Sequence, residues 1–427
     1  MSYQSVKVQS VFLFLLTINF LFPTFNSILS RTGTVGILII NSFVLFSIII
    51  LLVYFFKRYL HRLSVPEVVF LSVCCLYFIN ILITGILNYK VQLSDLFELF
   101  RPVFYLALFM LGYNMIRLGL LNVNKAISLF SFFILLTAIF SLINIIFFEQ
   151  FGRLVMSFYV KDTLLPSRRF TGTFQNPYDF AFIGVLPLAY YLFRFLSKGS
   201  FKYIIAVGVI LTTALFGQSK AGFITMLIVL TQVLLFYPLC AHPNKTLSNK
   251  SVLIRFLSLP FIFIMVAIYV YIEFGDKFSY LVNGIIALSS GGDRSSNIRL
   301  EQIFLAYDML SSDIVNLIFG FGSYKHSGLM FESLYPLYFF RYGMFAILFF
   351  AFWIILPLIL VTFFKSKALS NPSRLILFTF FFAVLPSGMG NNIIDQNRIP
   401  FIYFFLIGSV YCAYFNKCNL NEKNSAI

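Results

Sequence analysis

The stretch GILIINSFVLFSIIILLVYFF, residues 36–56, is followed at once by Lys57 and Arg58. It holds no charged residue, and its length matches the roughly 20 apolar residues that an α-helix needs to cross a bilayer. Basic residues directly after such a run are typical of the cytoplasmic end of a membrane span. The stretch therefore predicts a transmembrane helix whose C-terminal end faces the cytoplasm.

Similar apolar runs recur along the whole chain. The residues are 60% hydrophobic and 11% charged, with a mean hydropathy of +0.92, whereas ordinary globular domains are about 25% charged. We predict an all-α integral membrane protein that forms a single polytopic domain over residues 1–427, with about 12 transmembrane helices. The predicted spans are 8–25, 36–56, 68–87, 102–116, 126–148, 179–196, 203–217, 221–239, 256–274, 342–364, 374–390 and 400–416.

The spans 203–217 and 221–239 are separated by the short polar stretch 217–222. Read as one helix, this region would run about 54 Å, which is too long for a hydrocarbon core of about 30 Å. We therefore predict two short spans with a turn between them.

Basic residues are concentrated on one side of this arrangement. The two termini and the loops near 57–67, 117–125, 194–203, 241–255 and 365–374 carry 17 Lys or Arg and two acids, whereas the rest of the chain carries 14 Lys or Arg and 13 Asp or Glu. Because excess positive charge marks cytoplasmic loops, we predict a multi-pass protein of the cytoplasmic (inner) membrane with both termini in the cytoplasm. Topology then accounts for the net charge of +16, so nucleic acid is not an expected partner.

The cysteines and histidines suggest neither a disulfide nor a bound metal. None of the five cysteines falls in an outward loop, so no disulfide is expected. No CxxC motif or His pair indicates a metal site, and no cofactor is predicted.

Two outward loops are long, covering residues 149–178 and 273–341. In the second loop, apolar residues at helical spacing predict an amphipathic helix. The glycine-containing stretch 289–293 before this helix predicts a hinge, and 320–322 predicts a second flexible point. The apolar residues of the helix are Leu300, Ile303, Phe304, Tyr307 and Leu310.

The loop 149–178 contains adjacent arginines, Arg168 and Arg169, followed by Gly172 and then by Asn176. Arginine is suited to bidentate binding of phosphate. We predict that the two arginines form a pyrophosphate clamp at the outer membrane surface. The alternative is that they contact lipid head groups.

Lys220 lies in the turn between the two short spans. A charge at the bilayer centre costs roughly 2.5–3.5 kcal/mol on insertion scales, so Lys220 should face a hydrated cavity or reach the interface. We predict that it is a further phosphate contact.

The large loop carries further candidates. Arg294 and Arg299 flank the start of its helix, and His326 and Glu332 follow before Arg341. Glu332 lies in a mostly apolar stretch, where burial would raise its pKa and suit it to act as a base. The alternative for Glu332 is an ion pair with Arg299 or Arg341, and for His326 a solvated loop residue.

Taken in order, these segments resemble the Wzy-type polysaccharide (O-antigen) polymerases and the related O-antigen ligases. The ordered match covers about residues 150–350, and the rest agrees in hydropathy alone. Ligases tend to place a His-Asn element before the late span, where this chain has Glu332-Ser333, and this favours a polymerase. Lys220 stands where the family more commonly has arginine. The matching segments are RFTGTFQNP (169–177), SKAG (219–222), Arg299, GFG (320–322), Glu332-Ser333 and Tyr342-Gly343.

The resemblance implies an architecture like that of the C-type glycosyltransferases, with a large extracytoplasmic loop that carries short amphipathic helices. It implies that undecaprenyl-pyrophosphate-linked oligosaccharides serve as donor and acceptor in a metal-independent transfer. A chain-length regulator and a flippase are further partners that it suggests. Under this reading, Arg168, Arg169, Lys220, Arg294 and Arg299 bind the pyrophosphate, Glu332 or His326 is the base, and Asn176 and Arg341 are supporting residues.

Two alternatives remain open at this stage. An O-antigen ligase would transfer the glycan to a lipid A core acceptor. A lipid-linked oligosaccharide flippase should place charged residues inside its spans and has no need of the long loop 273–341. No charged residue lies in the central part of any predicted span, which favours the polymerase.

Overall fold

The computed structural model is built from helices, and no β-strand occurs among the residues that it describes. The predicted span 256–274 lies outside these residues apart from its first two positions. The described residues are 3–25, 34–59, 63–87, 93–160, 164–166, 169, 172–240, 254–257, 283–284, 286, 292, 294–323, 329, 331–396 and 398–415.

The helices of this part of the chain are numbered in order, with two π-helical turns at Phe148–Gly152 and Ala351–Ile355. They are α1 (Tyr3–Leu21), α2 (Thr34–Tyr59), α3 (Val65–Leu87), α4 (Leu93–Arg117), α5 (Val123–Ile146), α6 (Arg153–Ser157), α7 (Pro177–Ile183), α8 (Val185–Lys198), α9 (Phe201–Gly217), α10 (Lys220–Cys240), α11 (Arg294–Ser311), α12 (Ile314–Phe319), α13 (Leu334–Tyr342), α14 (Phe345–Phe350), α15 (Leu356–Phe363), α16 (Asn371–Phe382), α17 (Val384–Gly390) and α18 (Ile399–Phe415).

Within the described residues, eight helical stretches are long and apolar enough to cross a membrane. Three shorter apolar helices, Lys7–Leu21, Phe201–Gly217 and Ile399–Phe415, coincide with further predicted spans. This is consistent with the predicted helical membrane protein. The eight stretches are Val35–Lys57, Val65–Leu87, Glu98–Arg117, Val123–Ile146, Pro177–Lys198, Lys220–Cys240, Phe345–Phe363 and Asn371–Gly390.

The centre of the bundle is the contact between α4 and α18. Residues 399–413 of α18 are all buried. A methyl group added at Gly112 would overlap the backbone carbonyl of Phe405, and one added at Gly408 would overlap that of Phe109. Small residues allow helix backbones to approach closely, and such contacts hold helices together where lipid provides no hydrophobic drive.

The structure corrects the start of the fourth predicted span. Helix α4 begins at Leu93 rather than at residue 102, and it continues through Pro102. Glu98 and Arg101 therefore lie inside the helix, where they form an ion pair of 2.6 Å. Because opposite charges that pair are far cheaper to bury than single charges, the helix extends past the point where the apolar run ends.

The turn predicted between the two short spans is present. Helix α9 ends at Gly217 and α10 begins at Lys220. Gln218 between them has a φ of 51°, in the left-handed region that breaks a helix. The break leaves Lys220 in the first turn of α10.

The predicted amphipathic helix is present as α11. Its Ala306 and Leu310 are buried, and Ala306 belongs to a small apolar cluster with Phe331 and Phe340. Arg299 lies seven residues before Ala306 and so shares the side of α11 that packs on the protein. The predicted stripe, Leu310 excepted, remains exposed: Leu300 is 52%, Ile303 47%, Phe304 59% and Tyr307 69% exposed.

The segment 320–322 is held in place instead of forming the predicted flexible point. The backbone N–H of Phe321 donates to the carbonyl of Phe340 (2.8 Å), and that of Gly322 donates to the carbonyl of Arg341 (2.9 Å). Gly320 and Gly322 have φ values of 77° and 69°, which other residues rarely adopt. The glycines therefore dock this end of the large loop on the last turn of α13.

Candidate functional site

A cavity of about 110 Å³ lies where α10, α11 and α17 meet the loop before α7, and Arg169, Lys220 and Arg299 line it. These residues come from three separate parts of the chain, and the structure brings them together at one cavity. Among the described residues, no Asp or Glu lines the cavity. A concentration of positive charge in one concave site favours an anionic ligand.

Close packing of small residues places Lys220 at the cavity. A methyl group added at Gly222 would overlap the side chain of Ala181 in α7, and one added at Gly390 would overlap that of Ala221. The first turn of α10 therefore lies directly against α7 and α17. Lys220 projects at the positive end of the α10 dipole, which adds to the attraction for an anion.

Arg169 is half-buried, and its guanidinium lies near the end of α9. The Nε and Nη2 atoms of Arg169 lie 3.4 and 3.5 Å from the carbonyl oxygen of Gly217. These are long contacts for an arginine. Arg168, its neighbour in the predicted clamp, lies outside the described residues.

Arg299 connects the cavity with Glu332. Its Nη2 lies 3.2 Å from Glu332 Oε2, and its Nη1 donates to the hydroxyl of Ser295 at 3.4 Å. The Nε atom of Arg299 is buried and donates to no described residue. Arg299 therefore retains a donor that a bound ligand can use.

The prediction that Glu332 is buried is wrong, since its side chain is 55% exposed. Of the two partners considered from sequence, it pairs with Arg299. Its backbone N–H donates to Gln302 Oε1 at 3.0 Å, which fixes this residue against α11. The carboxylate therefore lies beside Arg299 of the cavity and in contact with solvent.

Arg341 is not part of the cavity. It pairs with Glu98 (3.5 Å), which also pairs with Arg101. Asp395 completes the group, since its carboxylate accepts hydrogen bonds from Arg101 (3.1 Å) and from the Tyr338 hydroxyl (2.6 Å). The two arginines and two acids balance one another, so Arg341 supports the packing of the large loop rather than the ligand directly.

Asn176 is buried behind the cavity. Its Nδ2 lies 3.3 Å from Asp179 Oδ2 and 3.4 Å from Gln396 Oε1. It precedes Pro177, the first residue of α7, and Tyr178 of that helix lines the cavity. Asn176 therefore lies beside the helix that carries Tyr178, and its role as a supporting residue stays a prediction.

For two further predicted site residues, the structure describes no side chain. His326 lies outside the described residues. Arg294 begins α11, but its side chain is not among those described. Their predicted roles stay predictions.

An apolar groove of about 430 Å³ adjoins the cavity. The two share Lys220, Ala221, Ser295, Arg299 and Gly390. The groove continues between α10, α11 and α13, lined by Ile224, Leu300, Ile303, Tyr335 and Pro336 among others. A cationic cavity that opens into an apolar groove suits a ligand with an anionic head and a hydrocarbon tail.

Sequence reasoning missed the neutral polar residues of the cavity. Tyr178, Gln218, Ser387 and Asn391 all line it. Gln218 belongs to the polar turn that was singled out for Lys220. Asn391 follows an apolar run, and this change of polarity is the signal that could have pointed to it.

Arg398 was also missed. It is 3% exposed and donates to the carbonyls of Phe20 and Phe22 and to the hydroxyl of Thr173. Loss of hydration on burial lowers the pKa of Arg398 to about 10. Arg398 thus ties the C-terminal end of α1 to the loop that carries Arg169, since basic side chains stabilise the free carbonyls at a helix end.

No protein-family model, curated protein or solved structure matches the chain.

Proposed function

We propose that this protein polymerises undecaprenyl-pyrophosphate-linked oligosaccharide repeat units into a polysaccharide, at the outer face of the cytoplasmic membrane. The observation that carries the proposal is the convergence of Arg169, Lys220 and Arg299 on one cavity that opens into an apolar groove. The cavity would hold the pyrophosphate, and the groove the first part of the polyprenyl chain.

In the proposed reaction, the growing glycan on its pyrophosphate is the donor and a single lipid-linked repeat unit is the acceptor. A hydroxyl oxygen of the acceptor forms a bond to the anomeric carbon of the donor. The bond from that carbon to the pyrophosphate oxygen breaks, and its electron pair leaves with undecaprenyl pyrophosphate. The hydroxyl proton passes to a base, for which Glu332 is the first candidate and His326 the second.

The three cations would act on the leaving group. Negative charge grows on the pyrophosphate as its bond to the sugar breaks, and cations fixed around it stabilise that charge in the transition state. Lys220 contributes together with the end of α10, and Arg299 through the donor that the described residues leave unused.

The proposed topology has about 12 spans, with both termini in the cytoplasm, which places the cavity on the outer side. Loop 273–341 would then cover the site as a lid and recognise the sugar of the substrate. Its residues Phe321 and Gly322 hydrogen-bond to α13, which would hold this part of the loop in place.

Reconstitution tests the proposal. Purified protein in detergent with EDTA would be given undecaprenyl-pyrophosphate repeat units, and the products separated on a gel. We expect a ladder spaced by one repeat unit. Arg169→Ala, Lys220→Ala and Arg299→Ala should each slow its formation by about 100-fold, in the range known for loss of one group that stabilises transition-state charge.

Arg153→Ala is the matched control, because Arg153 belongs to the same outward loop as Arg169, is exposed and does not line the cavity. It should leave the ladder unchanged. Wild-type ladders from all three cavity variants would refute the pyrophosphate clamp. Repeat units that cross proteoliposome membranes without forming a ladder would instead support the flippase.

A further inference from the structure

Asn391 presents an unpaired hydrogen-bond donor to the cavity. It follows α17, lines the cavity and is 7% exposed. Its Nδ2 is buried and donates to no described residue. A buried donor without an acceptor costs about 1–3 kcal/mol, and most buried polar groups in proteins are paired. The amide therefore needs an acceptor that comes from outside the described residues.

Helix α17, which precedes Asn391, is held by hydrogen bonds to two neighbouring parts of the chain. The Ser333 hydroxyl donates to the carbonyl of Met389 (2.6 Å), and the hydroxyls of Thr225 and Ser387 lie 3.0 Å apart. The N–H of Asn391 itself donates to the carbonyl of Ser387 (3.1 Å). These contacts join α17 to α10 and to the start of α13.

The backbone after Asn391 is fixed through Asp395. Asn392 Nδ2 donates to this carboxylate at 2.9 Å. Tyr105 and Tyr338 each donate to it at 2.6 Å, and Arg101 at 3.1 Å. Asn391 thus lies between two anchored points and cannot easily turn to find a partner, so its amide is pre-organised at the cavity wall.

The chemistry of the cavity indicates which acceptor would satisfy the amide. The Nε of Arg299 is a second buried donor without a described acceptor, and it belongs to the same cavity. No Asp or Glu of the described part of the chain lines this cavity. An anion with several oxygen atoms would satisfy both donors at once and would be attracted by the cations.

We propose that Asn391 contacts the ligand, donating from Nδ2 to an oxygen of the pyrophosphate held by Arg169, Lys220 and Arg299. The inference rests on the proposed function for the identity of the anion. A neutral amide adds no charge to the site. It fixes the orientation of the pyrophosphate, which the lysine, a point charge with a flexible stem, cannot do alone.

The test measures binding of inorganic pyrophosphate to the purified full-length chain in detergent, by calorimetry in metal-free buffer. Asn391→Leu removes the donor and keeps the branched shape of the side chain, and it should weaken binding about tenfold or more, as expected for a hydrogen bond to a charged group. Asn391→Asp keeps the shape but places a carboxylate beside the anion, so it should weaken binding further.

Asn297→Asp is the charge-matched control, since Asn297 is exposed on α11 and does not line the cavity. It should bind pyrophosphate as the wild type does. Thermal unfolding of each variant would show that it is folded. If Asn391→Leu does not fold, the affinity of Asn391→Asp for pyrophosphate tests the role of Asn391 by itself.

The outcomes separate this inference from the proposed function. Unchanged affinity in the Asn391 variants, with binding weakened by Arg169→Ala, would overturn the role of Asn391 and leave the clamp standing. Affinity that is unchanged in the Asn391, Arg169, Lys220 and Arg299 variants alike, or a wild type that binds no pyrophosphate, would overturn both.

Discussion

At the scale of single residues, Glu332 would affect both ligand affinity and the rate of the reaction, and a single substitution separates the two effects. Its carboxylate pairs with Arg299, and it therefore competes with an anionic ligand for that guanidinium. The same carboxylate is the first candidate for the base that takes the acceptor proton. Competition would appear in ligand affinity, whereas base catalysis would appear in the rate.

Glu332→Gln removes the charge and keeps the shape. We expect the ladder to form about 100-fold or more slowly, because the variant lacks a general base. Affinity for inorganic pyrophosphate should rise by a few-fold, roughly the value of an exposed ion pair. An unchanged rate would exclude Glu332 as the base and direct attention to His326, and weaker binding would show that Glu332 positions Arg299 for the ligand.

Arg398 shows where residue-level prediction fails. It is one of 14 basic residues on the predicted outward side, and its neighbours in sequence give no sign that it is buried. Its acceptors belong to Phe20, Phe22 and Thr173, which lie far away in the chain. Contacts of this kind depend on how helices assemble, and the local pattern does not contain them.

At the scale of helices, the position of Lys220 depends on two glycines. Gly222 lies against Ala181 and Gly390 lies against Ala221, so the start of α10 contacts α7 and α17 without intervening side chains. The SKAG segment was singled out from sequence for its lysine. The structure shows that its small residues are equally important, because they determine where the lysine is placed.

Gly390→Val should separate α17 from α10 and displace Lys220 together with the adjoining Asn391. We expect loss of pyrophosphate binding and a free energy of unfolding lower by roughly 1–3 kcal/mol, as is usual for overpacking. Both are measurable, by calorimetry and by thermal unfolding.

Gly208→Val in α9 is the control for that substitution, since an added Cβ there has no atom within 4 Å. It should retain binding. Normal binding by Gly390→Val would show that the close approach of the two helices is not needed for the site.

At the scale of the whole molecule, hydropathy predicted the apolar helices of the described residues but misplaced the start of α4. Apolar runs are local, so the eight long helices of the described residues and the break at Gln218 follow from them. The entry of Glu98 and Arg101 into α4 depends on Arg341 and Asp395, which are remote in sequence. Buried ion pairs of this kind allow a helix to continue where its own composition predicts an end.

The candidate site was predictable in its charges and less so in its neutral residues. Arg169 was singled out because arginine suits phosphate binding, Lys220 because a charge between two short spans needs a polar site, and Arg299 because it flanks the start of the predicted helix. Asn391 and Tyr178 carry no charge, and the change of polarity after the apolar run is the one local signal that could have pointed to Asn391. Only the assembled cavity shows that they share a wall with the cations.

The exposed apolar stripe of α11 is suited to contact with lipid, so the bilayer would influence the position of the site. Leu300 and Ile303 line the groove, while Phe304 and Tyr307 project further along the helix. We expect the stripe to lie at the boundary between the lipid head groups and the hydrocarbon core, as amphipathic helices do. Because Arg299 is on the same helix, the depth of α11 in the membrane would set the position of the cavity relative to the membrane surface.

Polymer synthesis should then respond to bilayer thickness. In vesicles of short-, medium- and long-chain phosphatidylcholine, the wild-type rate should pass through a maximum, because mismatch tilts or displaces the elements that it touches. Phe304→Ser should weaken this dependence, whereas Asp308→Ser, a change at an exposed polar position of α11, should not. A rate that does not change with bilayer thickness would mean that the position of the site is independent of the surrounding membrane.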